Sequence, residues 1–221
     1  MSRPMRKNWS IILILLTFIC SCSNKSEPSA TYTGITILNG GPRGGGYTDP
    51  TGKKFEFRIF RIPVINVTVV PAELTINFFS DSIALLPESD KYLRVFLFPD
   101  TMTPDTMQEV YNFGVTGIES FLDNDLDKPT ILRTTIQPKQ EHVLYIGVLF
   151  NSDRLDGLTR AKLFINGQNI KDSFLPVNSI KTNTKNRNKL DLVFGIGIDP
   201  PHNYSLIPCG QIVYKNSGAL F

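Results

Sequence analysis

KFEFRIFRI, residues 54–62, decides the fold. Phe55, Phe57 and Ile59 share one parity, and Glu56 and Arg58 share the other. Successive side chains of an extended chain point to opposite faces, so this period of two predicts a half-buried β-strand. Outward from it the style persists. VINVTVV (64–70), ELTINFF (73–79) and YLRVFLF (92–98) are β-branched and aromatic, with Pro63, Pro71, Pro87 and Pro99 at or near their ends. Proline cannot donate to a ladder, so it is expected to punctuate strands. ILRTTI (131–136), HVLYIGVLF (142–150), AKLFI (161–165), LDLVFGI (190–196) and QIVYK (211–215) repeat the pattern. Asn166-Gly167 is a strong type I′ turn signal, and predicts that 161–165 folds back on 168–172.

One stretch departs from the pattern. TPDTMQEVYNFGVTGIESFLDNDLD (103–127) offers Thr103 as N-cap and Pro104 at the first helical position, with Gly114 and Gly117 as interruptions. One or two short helices in a mid-chain crossover are expected, marking the middle of the body or a lobe boundary near 100–128. About ten strands with Pro/Gly turns and few helices predict an all-β fold, an antiparallel β-sandwich over residues 33–221.

The N-terminus reads differently. Arg3, Arg6 and Lys7 precede an apolar run from Trp9 to Ile19. That run is too short to cross a bilayer, which needs about twenty residues, but suits the central region of a signal peptide. The sequence Ile19-Cys20-Ser21-Cys22 that follows resembles the lipobox of bacterial lipoproteins. The resemblance covers residues 1–22. It implies cleavage behind Ser21, removal of a signal-peptide helix (1–21), and a diacylglycerol thioether on Cys22. Ser23 after that cysteine, rather than aspartate, implies the outer membrane. A plain signal peptide cut near Ser21 or Ser23 is the rival. Polar, small residues at 22–32 then read as a flexible tether.

Processing changes the composition. The full chain carries 23 Lys+Arg against 20 Asp+Glu, and three of those bases leave with the leader, so the mature chain is balanced. No basic excess remains to follow a phosphate backbone, which argues against a nucleic-acid partner. The only tryptophan, Trp9, leaves too. Cys209 is left as the one unacylated cysteine, so no internal disulfide framework exists, and it reads as a small buried apolar residue.

Motifs for chemistry are sparse. In GGPRGGGYTDPTGKK (40–54), Gly46 and Gly52 are spaced wrongly for a phosphate loop and Lys54 replaces its hydroxyl residue. A flexible loop closing in an Asp49-Pro50-Thr51-Gly52 turn is expected instead. Asp123, Asp125 and Asp127 alternate as calcium loops begin, but Lys128 and Thr134 occupy the positions where an EF-hand needs Gly and Glu. A solvated acidic turn or an irregular calcium site remains. His142 and His202 read as edge or surface residues, and no nucleophile or zinc motif is present, so the chain is read as a non-enzyme. A carboxylate pair for glycoside hydrolysis would be invisible at this level. Asn66-Val67-Thr68 and Asn203-Tyr204-Ser205 match glycan acceptors, a match that a bacterial lipobox makes incidental.

Two functions follow. The first is a lipid-anchored envelope protein with a structural or protein-interaction body, bound to the membrane through its anchor and to a protein partner. The alternative is a carbohydrate- or ligand-binding module on the same anchor. AKLFINGQ (161–168) and GQIVYKNSGALF (210–221) resemble laminin-G and lectin-like jelly rolls, which implies such a module. Tyr32, Tyr47 and Tyr111 would then supply the stacking surface that tryptophan usually gives.

Overall fold

The computed structural model describes residues 34–81, 83–84, 92–151, 157–167, 188–199 and 203–215. The expected leader (1–21), Cys22, the expected tether (22–32), Tyr32, the expected return of the chain at 168–172 and His202 lie outside them. Eleven strands are described: β1 (Ile35–Ile37), β2 (Arg43–Thr48), β3 (Lys54–Asn66), β4 (Ala72–Phe78), β5 (Ile83–Ala84), β6 (Tyr92–Leu97), β7 (Thr130–Ile136), β8 (Glu141–Asn151), β9 (Leu158–Ile165), β10 (Lys189–Asp199) and β11 (Asn203–Tyr214). One helix, α1 (Ile118–Asn124), follows a 3-10 turn at Asp100–Met102. Sheet A has the order β1-β3-β8-β6-β5 with β2 also on β3, and sheet B runs β7-β4-β11-β10-β9. Every pairing is antiparallel. The fold is an all-β sandwich, and both sheets draw strands from either side of residues 100–128.

The two sheets enclose one core. Phe60, Ile62 and Val64 of β3 and Leu144, Ile146 and Val148 of β8 meet Leu74 and Ile76 of β4 and Phe194 and Ile196 of β10. Phe194 takes Phe60 edge-on at 6.0 Å and Phe78 at 5.8 Å. Cys209 is buried here, the extra residue of a bulge where the β10–β11 register shifts between Leu192 and Val193. Burial pushes its thiol up to about 12, so it stays protonated.

The opposite parity of sheet A is covered as well. Phe57, Ile59, Phe96, Tyr145 and Leu149 form a second core with Phe98, Phe113, Val115, Ile118, Phe121 and Leu122. The face of Phe57 and Ile59 therefore does not look between the sheets. The Glu56 and Arg58 face at the start of β3 stays partly exposed, while from Ile59 onward buried residues fall on both faces of the strand. Continuous apolar runs such as HVLYIGVLF are the signature of strands with two dry faces. The cap is a third layer over sheet A.

Gly147 makes that second core possible. It lies opposite Phe96, and a Cβ there would sit 2.1 Å from the Phe96 ring. With no side chain in the way, Phe96 packs on Phe98 at 5.1 Å and on Phe121 at 5.4 Å. Gly147→Ala is expected to cost about 1–3 kcal/mol, the scale of overpacking a core, and Phe96→Leu in the same chain should restore part of the loss. Urea midpoints of the single and double variants check this, and a neutral Gly147→Ala contradicts it.

Three local expectations are corrected. VINVTVV is not a strand of its own: β3 runs through Pro63 to Asn66. Leu38 donates to the Pro63 carbonyl at 3.0 Å, so the missing Pro63 N–H points to the same edge, between the stretches of β3 paired with β2 and with β1. The glycine-rich stretch is not a loop, because Gly44–Gly46 are inside β2 and in register with β3. The turn that sets this register is the expected one: Asp49 Oδ1 accepts from the N–H groups of Thr51 and Lys53 and from the Thr51 hydroxyl. Thr103-Pro104 starts no helix. Thr103 ends the 3-10 turn, and α1 begins only after Gly117 in a left-handed conformation, φ +65°. Asn166-Gly167 is a turn, and the described partner of β9 is β10.

Candidate functional site

The β2–β3 hairpin and α1 enclose a cleft of about 460 Å³, lined by Gly46, Tyr47, Thr48, Lys54, Phe55, Glu56, Glu119 and Asp123. Each wall follows from a local rule. Tyr47 has the parity of Phe57 across the ladder, so it points toward the cap. Glu119 and Asp123 are four apart on α1 and thus share one helical face. Tyr47 is only 8% exposed, and its hydroxyl donates to Asp123 Oδ1. Burial first, and then the Asp123 carboxylate, push the phenol well above its usual value. Glu56 pairs with Arg58, whose guanidinium carbon lies 5.6 Å from the centre of the Phe150 ring. Lys53 lies 5.0 Å over the Phe55 ring.

Beside the cleft, the loop 104–113 lies across β2. Arg43 donates to the carbonyls of Gln108 (3.2 Å) and Val110 (2.9 Å), pairs with Glu109, and stacks 4.6 Å over the Phe113 ring. Phe113 adopts φ +57° between Asn112, which accepts from the Gly114 N–H, and Gly114 at φ +84°. Tyr111 sits over Gly45 and is 65% exposed.

The three aspartates do not converge. Asp123 is on Tyr47, Asp125 pairs with Lys128 at 2.7 Å, and Asp127 lies among the charges around Arg94. Their alternate spacing would align side chains in a strand, but Asp123 ends a helix, so the three diverge. Among the described residues no group of three His, Cys, Asp or Glu side chains is placed to hold a metal ion. The tyrosines also separate, since Tyr47 is buried and Tyr111 stands in solvent. Asn66 is no glycan acceptor surface: it is fully buried and all its side-chain bonds are internal.

Glu56 reads in the sequence only as the polar face of a strand and Lys54 only as a departure from a phosphate loop, and nothing marks Glu119 as a site residue. The Glu119–Asp123 spacing was the available signal, and it became meaningful only once the helix start moved to Gly117. A second groove of about 560 Å³ lies between the end of β6, α1 and β7, with Met102, Phe121, Ile131 and Leu132 in its walls. No helix among the described residues is long and apolar enough to cross a membrane.

His142, at the start of β8, is half-buried, with Nε2 3.9 Å from Asp100 Oδ1. Burial pulls its pKa down, and Asp100 opposes this. Below the unfolded imidazole value of about 6.5, the unfolded chain binds a proton that the folded chain resists. Stability should therefore fall as pH drops through that range. In His142→Gln the fall in melting temperature from about pH 7 to pH 5 is expected to be shallower; identical slopes would contradict the assignment.

Comparison with family models, with curated proteins and with solved structures found no match.

Proposed function

We propose that the chain is a bacterial cell-envelope lipoprotein, anchored through acyl chains on Cys22 in the outer membrane, whose β-sandwich serves a structural or protein-interaction role rather than a catalytic one. The anchoring rests on the basic start, the short apolar run and the Ile19-Cys20-Ser21-Cys22 box. The role of the body rests on how its polar groups are used. Tyr47 holds Asp123, Glu56 holds Arg58, Asp49 holds its own turn, and Asn66 ties a loop to β7. Each of these four polar groups is engaged in keeping strands and loops together. Large apolar side chains meanwhile stand in water, among them Tyr111, Ile131 and Phe79. Such residues mark contact surfaces when they fall together.

Tyr111 also favours the second reading, a carbohydrate- or ligand-binding module, because it alone of the expected stacking tyrosines is exposed among the described residues. On that reading the parent is retained by glycan and Tyr111→Ala abolishes the retention; on the first reading neither protein is retained.

The anchor has a direct test. Cys22→Ser is expected to move the protein from the membrane pellet to the soluble fraction, with the acyl mass lost from its N-terminus. A variant that still pellets with an acylated N-terminus would remove the proposal.

A further inference from the structure

A sandwich has to manage its edges, because an unpaired strand presents a row of N–H and C=O groups to other chains. Two of the edges here are visibly managed. The edge strand β5 is only two residues long. Strand β9 is clamped at Leu163, whose N–H and C=O are both taken by the Asn39 side chain, at 2.8 and 3.0 Å. Among the described residues no side chain clamps the outer edge of β2, and the loop 104–113 reaches it only at Arg43 and Gly45. It pairs with β3 alone among the described residues, and Gly44–Gly46 give its edge no side chains. The Asp49 N–H donates to the Lys53 carbonyl at 2.9 Å. Hydrogen-bonded pairs alternate along an antiparallel ladder, so Tyr47 and Gly45 face β3. Gly46 and Thr48 therefore turn their backbone groups outward, and both residues are exposed.

The surroundings of that edge are chemically biased. Glu119 and Asp123 stand on the α1 wall of the cleft that Gly46 and Thr48 line. Glu56 is neutralised by Arg58, which leaves these two carboxylates against Lys54. Further along β2, Tyr111 lies exposed over Gly45, and Val110 beside it in sequence is exposed as well.

We propose that the outer edge of β2 is a strand-addition site for an extended segment of a partner protein, with a basic side chain of that segment entering the cleft between β2 and the Glu119–Asp123 face of α1. Backbone pairing to Gly46 and Thr48 holds the segment, and the two carboxylates select its charge. The proposal rests on the protein-interaction reading of the body and names where that interaction occurs.

The test uses the full chain in detergent and two soluble ten-residue peptides, one alternating Thr and Lys, the other alternating Thr and Glu. The lysine peptide is expected to slow amide exchange at Gly46 and Thr48 by about tenfold or more, and the glutamate peptide to leave it unchanged. Gly46→Pro removes the outward N–H without touching the ladder to β3, and should abolish binding. Glu119→Lys leaves the backbone intact and should weaken binding about fivefold, the scale of one exposed pair lost and one repulsion gained. Exchange that stays fast with the lysine peptide, or binding that survives Gly46→Pro in a folded protein, overturns the proposal. So does a dimer of the chain that Gly46→Pro dissolves, since the edge would then belong to a second copy. Photo-crosslinkers at Thr48 and at Ile131 in cells separate the two levels. Crosslinks to an envelope protein from Thr48 support this site. Crosslinks from Ile131 alone overturn it and leave the interaction reading standing, and crosslinks from neither position remove both.

Discussion

Asn66→Asp is expected to remove about 3–5 kcal/mol of stability, a large part of what a single domain has. Asn66 is fully buried at the end of β3. Its Nδ2 donates to the carbonyls of Val70 (2.8 Å) and Ile136 (3.0 Å). Its Oδ1 accepts from the Thr68 N–H (3.0 Å) and the Thr68 hydroxyl (2.6 Å). The backbone is engaged too, with the N–H on Gln140 and the carbonyl on Lys139. One side chain thus ties β3 of sheet A to the end of β7 in sheet B. Aspartate would set an oxygen against two carbonyl oxygens and bury a charge beside them. The introduced carboxyl would have a raised pKa, so its folded form is favoured when protonated. The deficit should shrink as pH falls toward about 4 and be complete near neutrality. Urea unfolding at both pH values checks this. An Asn66→Asp protein within 1 kcal/mol, about one weak hydrogen bond, of the parent at neutral pH would refute the reading.

Arg94→Met should cost roughly 3–4 kcal/mol by leaving buried carbonyls without donors. Arg94 is 6% exposed on the cap side of β6, and its bonds to the described residues all go to backbone carbonyls. Its guanidinium donates to the Leu126 carbonyl from Nε (3.0 Å) and Nη2 (2.7 Å), to Lys128 (3.0 Å), and to Phe79. Burial pulls its pKa down, while Asp81 and Asp127 hold it up. The planar fork spans two chain segments at once, which a lysine ammonium cannot do. Arg94→Lys is therefore expected to lose most of the same stability. Limited proteolysis should locate the damage, with new cleavage at 79–81 and 124–130 before the rest of the sandwich opens. A global loss with no early cut at either segment would show that Arg94 acts elsewhere.

The strands were legible where one face is wet or one run is unbroken. ELTINFF alternates because β4 has one buried face, with Ala72, Leu74, Ile76 and Phe78 all inward. The apolar pair Ile59-Phe60 hid the second core, because adjacent apolar residues mean two dry faces only if something covers the outer one. What covers it is 98–122, a stretch with little helical periodicity whose apolar residues are set by positive-φ turns at Phe113, Gly114 and Gly117. Gly44–Gly46 could not be read as a strand, since glycine has no preference for one. Their extended state is imposed by the Asp49 turn and by register with β3. Of the cleft, Tyr47 reads in the sequence as a stacking tyrosine and Asp123 as part of an acidic turn. Their contact spans 76 positions in sequence and exists only because the cap folds over sheet A.

Anchoring at Cys22 is the claim on which the cellular reading depends, and intact mass with N-terminal fragmentation of the protein taken from its native envelope tests it most directly. The expected result is a chain beginning at Cys22, without residues 1–21, with a diacylglycerol thioether on that cysteine. A mature chain that begins elsewhere, or that begins at Cys22 with a free thiol, would contradict it.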